Sequence, residues 1–326
     1  MMRMQRRRFL TILAGSSLVL AADGSASPLT APLQWRGTAL GAEASLTLYH
    51  PDRRQGTAIM DDCVAELRRL EGILSLYDPG SALSVLNRAG RLDQAPPELT
   101  ALLAESIAYG QLSGGAFDVT VQPLWRLYAD HFAANPNGAT GPAAERMAQA
   151  RRLVNFRSIR VDGQRVSLAP GQAVTLNGIA QGWITDRIAE RLKALGLTHV
   201  LLDLGESRAL GGHTDGRPWR LGIPDPRAPD RLLTRFELSQ QAAATSGGYG
   251  MAFDPAGHFN HILDPASGDS ARVWASVTVI ADTATKADAL STVLSVAPRS
   301  HAAGLLAKAG NASAIMIDDA GEMRRL

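Results

Sequence analysis

Hydrophobic residues recur along this chain with two different spacings, which predict helices and strands. Apolar positions three and four residues apart predict helices over Thr57–Leu74, Pro97–Ser113, Ala143–Leu153, Ile179–Leu195 and Lys286–Val296. Alternating or continuous apolar runs predict strands over Thr38–Tyr49, His199–Asp203, Trp219–Ile223, Thr234–Leu238 and Ser276–Ala281. Asp162-Gly163 predicts a hairpin turn within Ile159–Leu168, and Asp78-Pro79-Gly80 ends the first helix with a turn.

The predicted helices and strands are mixed, without a regular alternation of strand and helix. No Gly-x-Gly-x-x-Gly follows a predicted strand and no Walker A motif occurs, so neither a dinucleotide-binding sheet nor a P-loop is indicated. The chain has 326 residues, and no repeat or low-complexity linker divides it. We therefore expect one α+β unit over residues 27–326, with mixed or antiparallel sheets and packed helices.

The N-terminus has the order of a targeting segment. Arg6-Arg7-Arg8-Phe9-Leu10 precedes an apolar run over residues 11–22, and small residues follow at 24–27. The arginine pair before x-Phe-Leu predicts a twin-arginine signal peptide over residues 1–26, and hence a periplasmic protein. A membrane anchor is the alternative, but the apolar run is shorter than the ~20 residues that a spanning helix needs.

Composition supports a folded core and points neither to a nucleic-acid-binding protein nor to one held together by internal disulfides. Apolar residues make up 45% of the chain, which is enough for a core. The net charge of +2 depends on residues 1–26, which carry four arginines and one aspartate, so it gives no reason to expect nucleic-acid binding. Cys63 is the one cysteine, so no internal disulfide can form, and its helical apolar spacing predicts a core position.

Two segments combine residues that suit phosphoryl chemistry. His261 and Asp264 lie on one short segment, and Asp288 and Thr292 lie four residues apart on one face of a predicted helix. An aspartate and a threonine oxygen suit a hard cation such as Mg²⁺, and a histidine nearby suits a general base. Alternatively, Asp288 is a solvated helix residue and His261 is structural.

Five segments, taken in order, carry a family resemblance. They are Ser75–Asn87, Gly114–Leu124, Leu176–Gly182, Ala244–Tyr249 continuing to His261–Pro265, and Ala287–Thr292. Over about residues 35 to 325 the chain resembles the ApbE family of flavin transferases. The resemblance implies a T-fold-like α+β domain that binds FAD with Mg²⁺. A threonine hydroxyl of an acceptor flavoprotein would attack the FMN-side phosphorus, forming a phosphoester and releasing AMP.

The resemblance also assigns roles to residues of this chain. It implies that Asp288, Thr292 and the Ala180 carbonyl bind the metal, that His261 is the base, and that Asp264 orients it. The implied FAD contacts are Tyr77, Ser81, Asn87, Phe117, Asp118, Thr120, Gln181, Ser246, Gly247 and His261. The alternatives are that Tyr77 and Phe117 are core aromatics and that Ser246-Gly247 is an ordinary turn.

The chain departs from the family pattern at two positions that bear on the chemistry. Gln181 stands where many members carry lysine, and Glu206 stands where many carry glycine. Together they resemble an exported branch associated with nitrous-oxide respiration, whose acceptor would be a membrane-bound electron-transfer flavoprotein. Two other functions stay open: an FAD pyrophosphatase, in which water replaces the threonine, and a non-catalytic periplasmic flavin-binding protein.

Overall fold

The computed structural model describes residues 31–326, so the predicted signal peptide lies outside the described residues. The helices are α1 Arg53–Leu74, α2 Ala82–Ala89, α3 Pro97–Leu112, α4 Gln122–Ala134, α5 Ala144–Arg151, α6 Ala180–Ala194, α7 Ala284–Val296 and α8 Ala302–Ala309. The strands are β1 Leu33–Ala39, β2 Ala42–Leu48, β3 Arg91–Leu92, β4 Arg160–Asp162, β5 Arg165–Ser167, β6 Val200–Asp203, β7 Ser207–Leu210, β8 Trp219–Asp225, β9 Ala228–Leu238, β10 Ala242–Ser246, β11 Ser276–Ala281, β12 Ala312–Ile317 and β13 Met323–Arg325.

A large antiparallel sheet organises the described part of the chain. Its eight strands have the order β1-β2-β6-β7-β10-β11-β12-β13, and every neighbouring pair is antiparallel. Strands β3, β5 and β4 form a small second sheet, and β8 and β9 form a separate hairpin. The expectation of an α+β fold with antiparallel sheets and packed helices is confirmed.

The central strands of the large sheet are buried on both faces, whereas the edge strands β1 and β13 are partly exposed. In β12, Ala314 and Met316 join the main core, whereas Ile315 and Ile317 join a second cluster. Helices α1, α6 and α7 contribute to the main core, and the β8–β9 hairpin contributes to the second cluster. The sheet therefore lies between a helical layer and a hairpin, which gives three packed layers.

Helix α1 shows how local sequence sets an element. The Asp52 carboxylate accepts hydrogen bonds from the backbone N–H groups of Arg54 (2.8 Å) and Gln55 (3.1 Å), which satisfies two free donors at the helix start. Its buried face is formed by Gly56, Met60, Cys63, Leu67, Leu70 and Leu74. Cys63 is 2% exposed, so its predicted core position is confirmed.

The prediction of one strand over Thr38–Tyr49 is wrong. The chain reverses at Leu40 (φ 47°) and Gly41 (φ 87°), so the segment is a hairpin of β1 and β2. Two consecutive positive φ angles are typical of a tight hairpin turn. Leu-Gly is an unusual residue pair for this turn, so no turn signal in the sequence marked the boundary between the two strands.

A third apolar cluster lies beyond the helical layer and positions one side of a cleft. It packs α4 and α5 against a loop through Leu124, Leu127, Tyr128, Phe132, Ala150 and Leu263. Phe253 stacks on Tyr128 with ring centroids 5.5 Å apart. In the part of the chain that the structure describes, none of the helices has both the length and the apolarity needed to cross a membrane.

Candidate functional site

A cleft opens where the first turn of α6, helix α7, the end of β10 and two loops meet. Eight of the residues predicted from the sequence line it: Phe117, Asp118, Gln181, Ser246, Gly247, His261, Asp288 and Thr292. The fold therefore brings together residues that are up to 175 positions apart.

Asp288 is the buried carboxylate of the cleft. It is 3% exposed, and its Oδ2 accepts a hydrogen bond from the backbone N–H of Gly182 at 3.0 Å. Burial raises the pKa of Asp288 to about 7, while the Gly182 bond opposes that rise. The alternative that Asp288 is a solvated helix residue is therefore excluded.

Thr292 lies one helical turn after Asp288, on the same face of α7. Its hydroxyl is 3.5 Å from the Ser246 hydroxyl, which also contacts the Ser291 hydroxyl at 2.7 Å. Opposite Thr292 the chain has Gly178, where a Cβ would lie 2.9 Å from the threonine Oγ1. Only a residue without a side chain lets the backbone approach this hydroxyl so closely.

Gly247 has a similar packing requirement beside Ser246. Its backbone is extended, but a Cβ there would lie 2.3 Å from the Tyr249 ring and 2.9 Å from the Ala275 carbonyl oxygen. The Ser246-Gly247 segment is thus a closely packed end of β10 that forms a wall of the cleft. Its role in binding FAD stays a prediction.

His261 has a defined tautomer in this environment. Its Nδ1 lies 3.1 Å from the carbonyl oxygen of Met251, which can only accept, so Nδ1 carries the proton and Nε2 has the free lone pair. Burial lowers the pKa of His261, so the neutral form persists at neutral pH. A neutral imidazole with a free Nε2 is what a general base requires.

Asp264 does not contact His261. Its Oδ1 accepts from the backbone N–H of Ala266 at 2.9 Å, which stabilises the following turn. Asp264 lines a neighbouring groove, which shares Asp118 and Pro265 with the cleft. The partner of His261 is therefore the Met251 carbonyl, and the catalytic role predicted for Asp264 gains no support from the geometry.

Asp118 lines the cleft and is held in place by hydrogen bonds from Thr120 and Phe156. Asp118 accepts hydrogen bonds from the Thr120 N–H (2.8 Å), the Thr120 hydroxyl (2.5 Å) and the Phe156 N–H (2.9 Å). Burial is the largest influence on the Asp118 carboxyl and raises its pKa, although these bonds lower it. Thr120 is fully buried and outside the cleft, whereas Phe117 is 4% exposed and contributes both to the cleft and to the core.

Ser81 and Asn87 lie outside the cleft and stabilise its surroundings. Ser81 caps α2 by accepting from the Ser84 N–H at 3.0 Å and donating to the Ser75 carbonyl at 2.5 Å. Asn87 exchanges two hydrogen bonds with the backbone of Val174, at 2.7 and 2.6 Å. Both side chains are thus used inside the protein, and their predicted contact with FAD stays a prediction.

Tyr77 and Ala180 do not line the cleft, but each neighbours a residue that does. Tyr77 is 47% exposed, and its hydroxyl interacts with the side chain of Asn177, which lines the cleft. Tyr77 is therefore not a core aromatic. Ala180 begins α6 and is 1% exposed, next to Gln181 but outside the lining, so its carbonyl as a metal ligand stays a prediction.

Gln181 presents an unused hydrogen-bond donor. The residue is 6% exposed and lines the cleft, and among the described residues its Nε2 has no hydrogen-bond partner. The amide packs on Gly205, where a Cβ would lie 2.3 Å from Nε2 and where φ is +99°. A buried donor without a partner is costly, which indicates that a ligand supplies the acceptor.

The charges of the cleft fit a divalent cation. Its described lining contains the carboxylates of Asp118, Glu206 and Asp288 but no lysine or arginine. An anionic diphosphate cannot bind beside these carboxylates without a compensating cation. The Asp288 carboxylate and the Thr292 hydroxyl are hard oxygen donors of the kind that Mg²⁺ prefers. No group of three or more His, Cys, Asp or Glu residues in the described chain could hold a metal, so such a site would rely on mixed oxygen ligands.

Sequence reasoning missed several residues of the site. Trp125 lines the cleft and packs edge-on against Phe253, with ring centroids 5.7 Å apart. Glu206, which the sequence marked only as a departure from the family pattern, also lines it and is 7% exposed. Asp186 accepts from the N–H groups of Ala284 (2.9 Å) and Thr285 (2.8 Å), which ties α6 to the start of α7. Asp186 left a weak sequence signal, as a carboxylate among the buried residues of a helix.

Comparisons with known proteins identify relatives of this chain and of its fold. A family model described as "ApbE family" matches residues 40–316. The chain is 30% identical over 250 residues to a FAD:protein FMN transferase of Haemophilus influenzae, covering 72% of this chain and 71% of that protein. A Vibrio cholerae protein of the same name is 32% identical over 238 residues, covering 71% and 70%. The Pseudomonas stutzeri flavinyl transferase ApbE, in its apo form, aligns with a TM-score of 0.77 and 27% identity, covering 92% of this chain and 97% of that one.

Proposed function

Since the chain belongs to the ApbE family, we propose that it is an FAD:protein FMN transferase, which moves FMN from FAD to an acceptor protein. One observation carries the proposal: a single cleft contains a neutral histidine with a free Nε2, a buried carboxylate and a neighbouring hydroxyl. These are His261, Asp288 and Thr292, which come from two distant segments of the chain.

In the proposed reaction an acceptor threonine attacks the FMN-side phosphorus of FAD. His261 Nε2 takes the proton of the threonine hydroxyl as the new P–O bond forms. The bond between that phosphorus and the bridging oxygen breaks, and AMP leaves with this oxygen. The product is FMN in phosphoester linkage to the acceptor. The defined tautomer of His261 supports this role, because a lone pair is available without prior deprotonation.

The residues of the cleft support a role for Mg²⁺. Asp288, Thr292 and the Ala180 carbonyl would hold the ion. When bound, it would neutralise charge on the diphosphate and stabilise the leaving phosphate oxygen. The Gly182 N–H keeps the Asp288 carboxylate in one orientation, and Gly178 leaves room at Thr292.

The groove next to the cleft offers a path for the acceptor. It shares Ala116, Asp118 and Pro265 with the cleft, so a segment of polypeptide lying in it would reach the FAD from outside. We further propose that the protein is exported through its N-terminal twin-arginine segment. Its acceptor would then be a membrane-bound flavoprotein of an electron-transfer chain, as in the branch associated with nitrous-oxide respiration.

The test combines the purified protein with FAD, Mg²⁺ and a threonine-bearing acceptor domain, followed by intact-mass analysis. We expect the acceptor to gain the mass of one FMN attached as a phosphoester, and AMP to appear in equal amount. Asp288→Ala should abolish both products while the protein stays folded. Replacing the acceptor threonine with valine should abolish attachment and identify the linkage.

The same experiment distinguishes the alternatives. Free FMN and AMP without acceptor labelling would mean an FAD pyrophosphatase, because water would have replaced the threonine. Tight FAD binding without turnover in any condition would mean a flavin-binding protein. The buried Asp288 and the oriented His261 disfavour the latter, since a carrier gains nothing from either.

A further inference from the structure

Glu206 is a buried acid that has no role in the proposed reaction. It directly precedes β7, is 7% exposed and lines the cleft. Its carboxylate interacts with the backbone of Thr245 in β10, so it is held in place from the neighbouring strand. A buried carboxylate facing a ligand cleft needs a partner to offset its lost hydration.

The first turn of α6 brings Glu206 close to Asp288. Gly205, the residue before Glu206, lies so near Gln181 that a Cβ there would be 2.3 Å from the amide nitrogen. The next residue of α6, Gly182, donates its N–H to Asp288 at 3.0 Å. Gly205 and Asp288 therefore lie beside the consecutive residues Gln181 and Gly182, which places Glu206 close enough to Asp288 to be affected by its charge.

The charge of Asp288 acts on Glu206, and neither residue has a basic neighbour among the described residues that line the cleft. Burial is the main cause that raises the pKa of Glu206 well above its ordinary value, and the charges of Asp288 and Asp203 add to it. The described lining of the cleft contains no lysine or arginine. Beside the pair, the buried Gln181 Nε2 has no acceptor among the described residues. Two neighbouring acids and an unused N–H donor together suit a cation with an anionic ligand attached.

We propose that Glu206 is a further ligand of the divalent cation, so that Glu206 and Asp288 hold one hard cation such as Mg²⁺ between them. Gln181 then donates to an oxygen of the bound anionic ligand. The identification of that ligand as FAD rests on the proposed function. The protein thereby supplies two carboxylates to the cation, and the binding of the cation offsets the repulsion between them.

The test measures binding of Mn²⁺, a paramagnetic substitute for Mg²⁺ at carboxylate sites, by electron paramagnetic resonance. The mature chain and Glu206→Gln are titrated with and without FAD. We expect Glu206→Gln to weaken Mn²⁺ binding by about tenfold or more, since the loss of even an indirect partner of a metal costs ~10–100-fold. Unchanged Mn²⁺ affinity in this variant would overturn the proposal.

Asp203→Asn is the matched control. Asp203 ends β6 and also raises the pKa of Glu206, but it does not line the cleft. Its replacement should leave Mn²⁺ affinity unchanged. Equal weakening by Asp203→Asn and Glu206→Gln would mean that general negative potential attracts the ion, and would overturn the assignment of Glu206 as a ligand.

Two further measurements keep the test decisive. Glu206→Asp retains a carboxylate on a shorter side chain and should bind Mn²⁺ with intermediate affinity, which gives a result if Glu206→Gln does not fold. FMN transfer is assayed separately. Normal transfer together with unchanged Mn²⁺ affinity in Glu206→Gln rejects only this inference. Loss of Mn²⁺ affinity in the variant, with no transfer by the wild-type protein, rejects only the proposed function.

Discussion

At the scale of single residues, the surroundings of His261 decide its chemistry. Burial lowers its pKa and the Met251 carbonyl selects the tautomer, so one nitrogen is fixed as a donor and the other is free. A carbonyl has this effect without adding charge, in contrast to the carboxylate predicted from the sequence. The imidazole therefore stays neutral in a cleft that already contains three carboxylates.

Replacing His261 with alanine should lower FMN transfer by about 10²–10⁴-fold, the usual contribution of a general base. FAD should still bind, because Gln181, Asp288 and Thr292 remain. The measurement pairs FAD affinity, from quenching of flavin fluorescence, with the rate of covalent labelling of an acceptor. If affinity collapses while the rate per bound complex stays normal, His261 is a binding residue and not the base.

Gln181→Lys tests whether the free amide donor faces phosphate. A lysine ammonium would add a charge-assisted contact, so FAD should bind up to about tenfold more tightly, which corresponds to ~1.4 kcal/mol. The measurement is an FAD titration at fixed Mg²⁺, with Gln181→Met as a control of similar length that has no donor. A complete loss of FAD binding in the lysine variant would mean that this position does not face phosphate.

At the scale of elements, the contact between α6 and α7 sets the geometry of the site. At Gly182 a Cβ would lie 2.3 Å from the carbonyl oxygen of Ala284 and 2.8 Å from the Asp288 Cβ. The glycine thus lets the two helices approach closely, and the same residue donates to the Asp288 carboxylate. Asp186 strengthens this contact by accepting from the N–H groups of Ala284 and Thr285 at the start of α7.

Gly182→Ala should therefore destabilise the fold, even though alanine is the better helix former. Overpacking against backbone atoms costs about 1–3 kcal/mol, and urea denaturation measures it as a lower free energy of unfolding. Gly72→Ala in α1 is the control, because nothing lies within 4 Å of its added methyl group. That control should gain about 0.5–1 kcal/mol. Equal effects of the two substitutions would contradict the close approach of α6 and α7.

At the scale of the whole molecule, buried acids link folding to pH. Burial raises the pKa of Asp203 to about 7, whereas an aspartate in an unfolded chain titrates near ~3.9. Between about pH 4 and pH 7 the folded state keeps Asp203 protonated, whereas in the unfolded state Asp203 has lost its proton. The contribution of Asp203 to stability is therefore complete below about pH 4 and is lost as the pH rises toward 7.

The free energy of unfolding should accordingly fall as the pH rises from about 5 to 7 in the absence of divalent cations. Asp203 adds at most about 1.4 kcal/mol per pH unit to this slope. Asp203→Asn should flatten the slope, because asparagine does not titrate. Urea denaturation at several pH values measures it, and parallel curves for the wild-type protein and the variant would show that Asp203 is ionised in the folded state.

Export concerns the residues before the described part of the chain. If Arg6-Arg7 directs the twin-arginine route, replacing both with lysine should leave uncleaved precursor in the cytoplasm. Cell fractionation and immunoblotting measure the distribution of the two forms. Unchanged delivery to the periplasm would mean that the chain uses another secretion route.

The sequence alone determined the class of fold and most of the regular elements. Periodicity is a local property, so α1, α3, α6, α7 and β11 could be predicted within a few residues of their observed bounds. The predictions missed several elements. The Leu40-Gly41 turn was overlooked, α2, α8 and several strands are short, and α4 was not predicted although its apolar residues have helical spacing. The resemblance to a family then supplied the residues of the site, because five ordered motifs are a stronger signal than any one.

Only the tertiary structure decided which of those residues share a cleft and which support it. Ser81 and Asn87 have the same polar character in the sequence as Ser246 and Gln181, yet only Ser246 and Gln181 line the cleft. The partner of His261 is a backbone carbonyl, which every residue has and no sequence pattern marks. The closeness of Glu206 to Asp288 depends on two contacts with α6 made by residues far apart in the chain. Hydrogen bonds, burial and electrostatic coupling arise between distant residues, so they become visible only once the chain has folded.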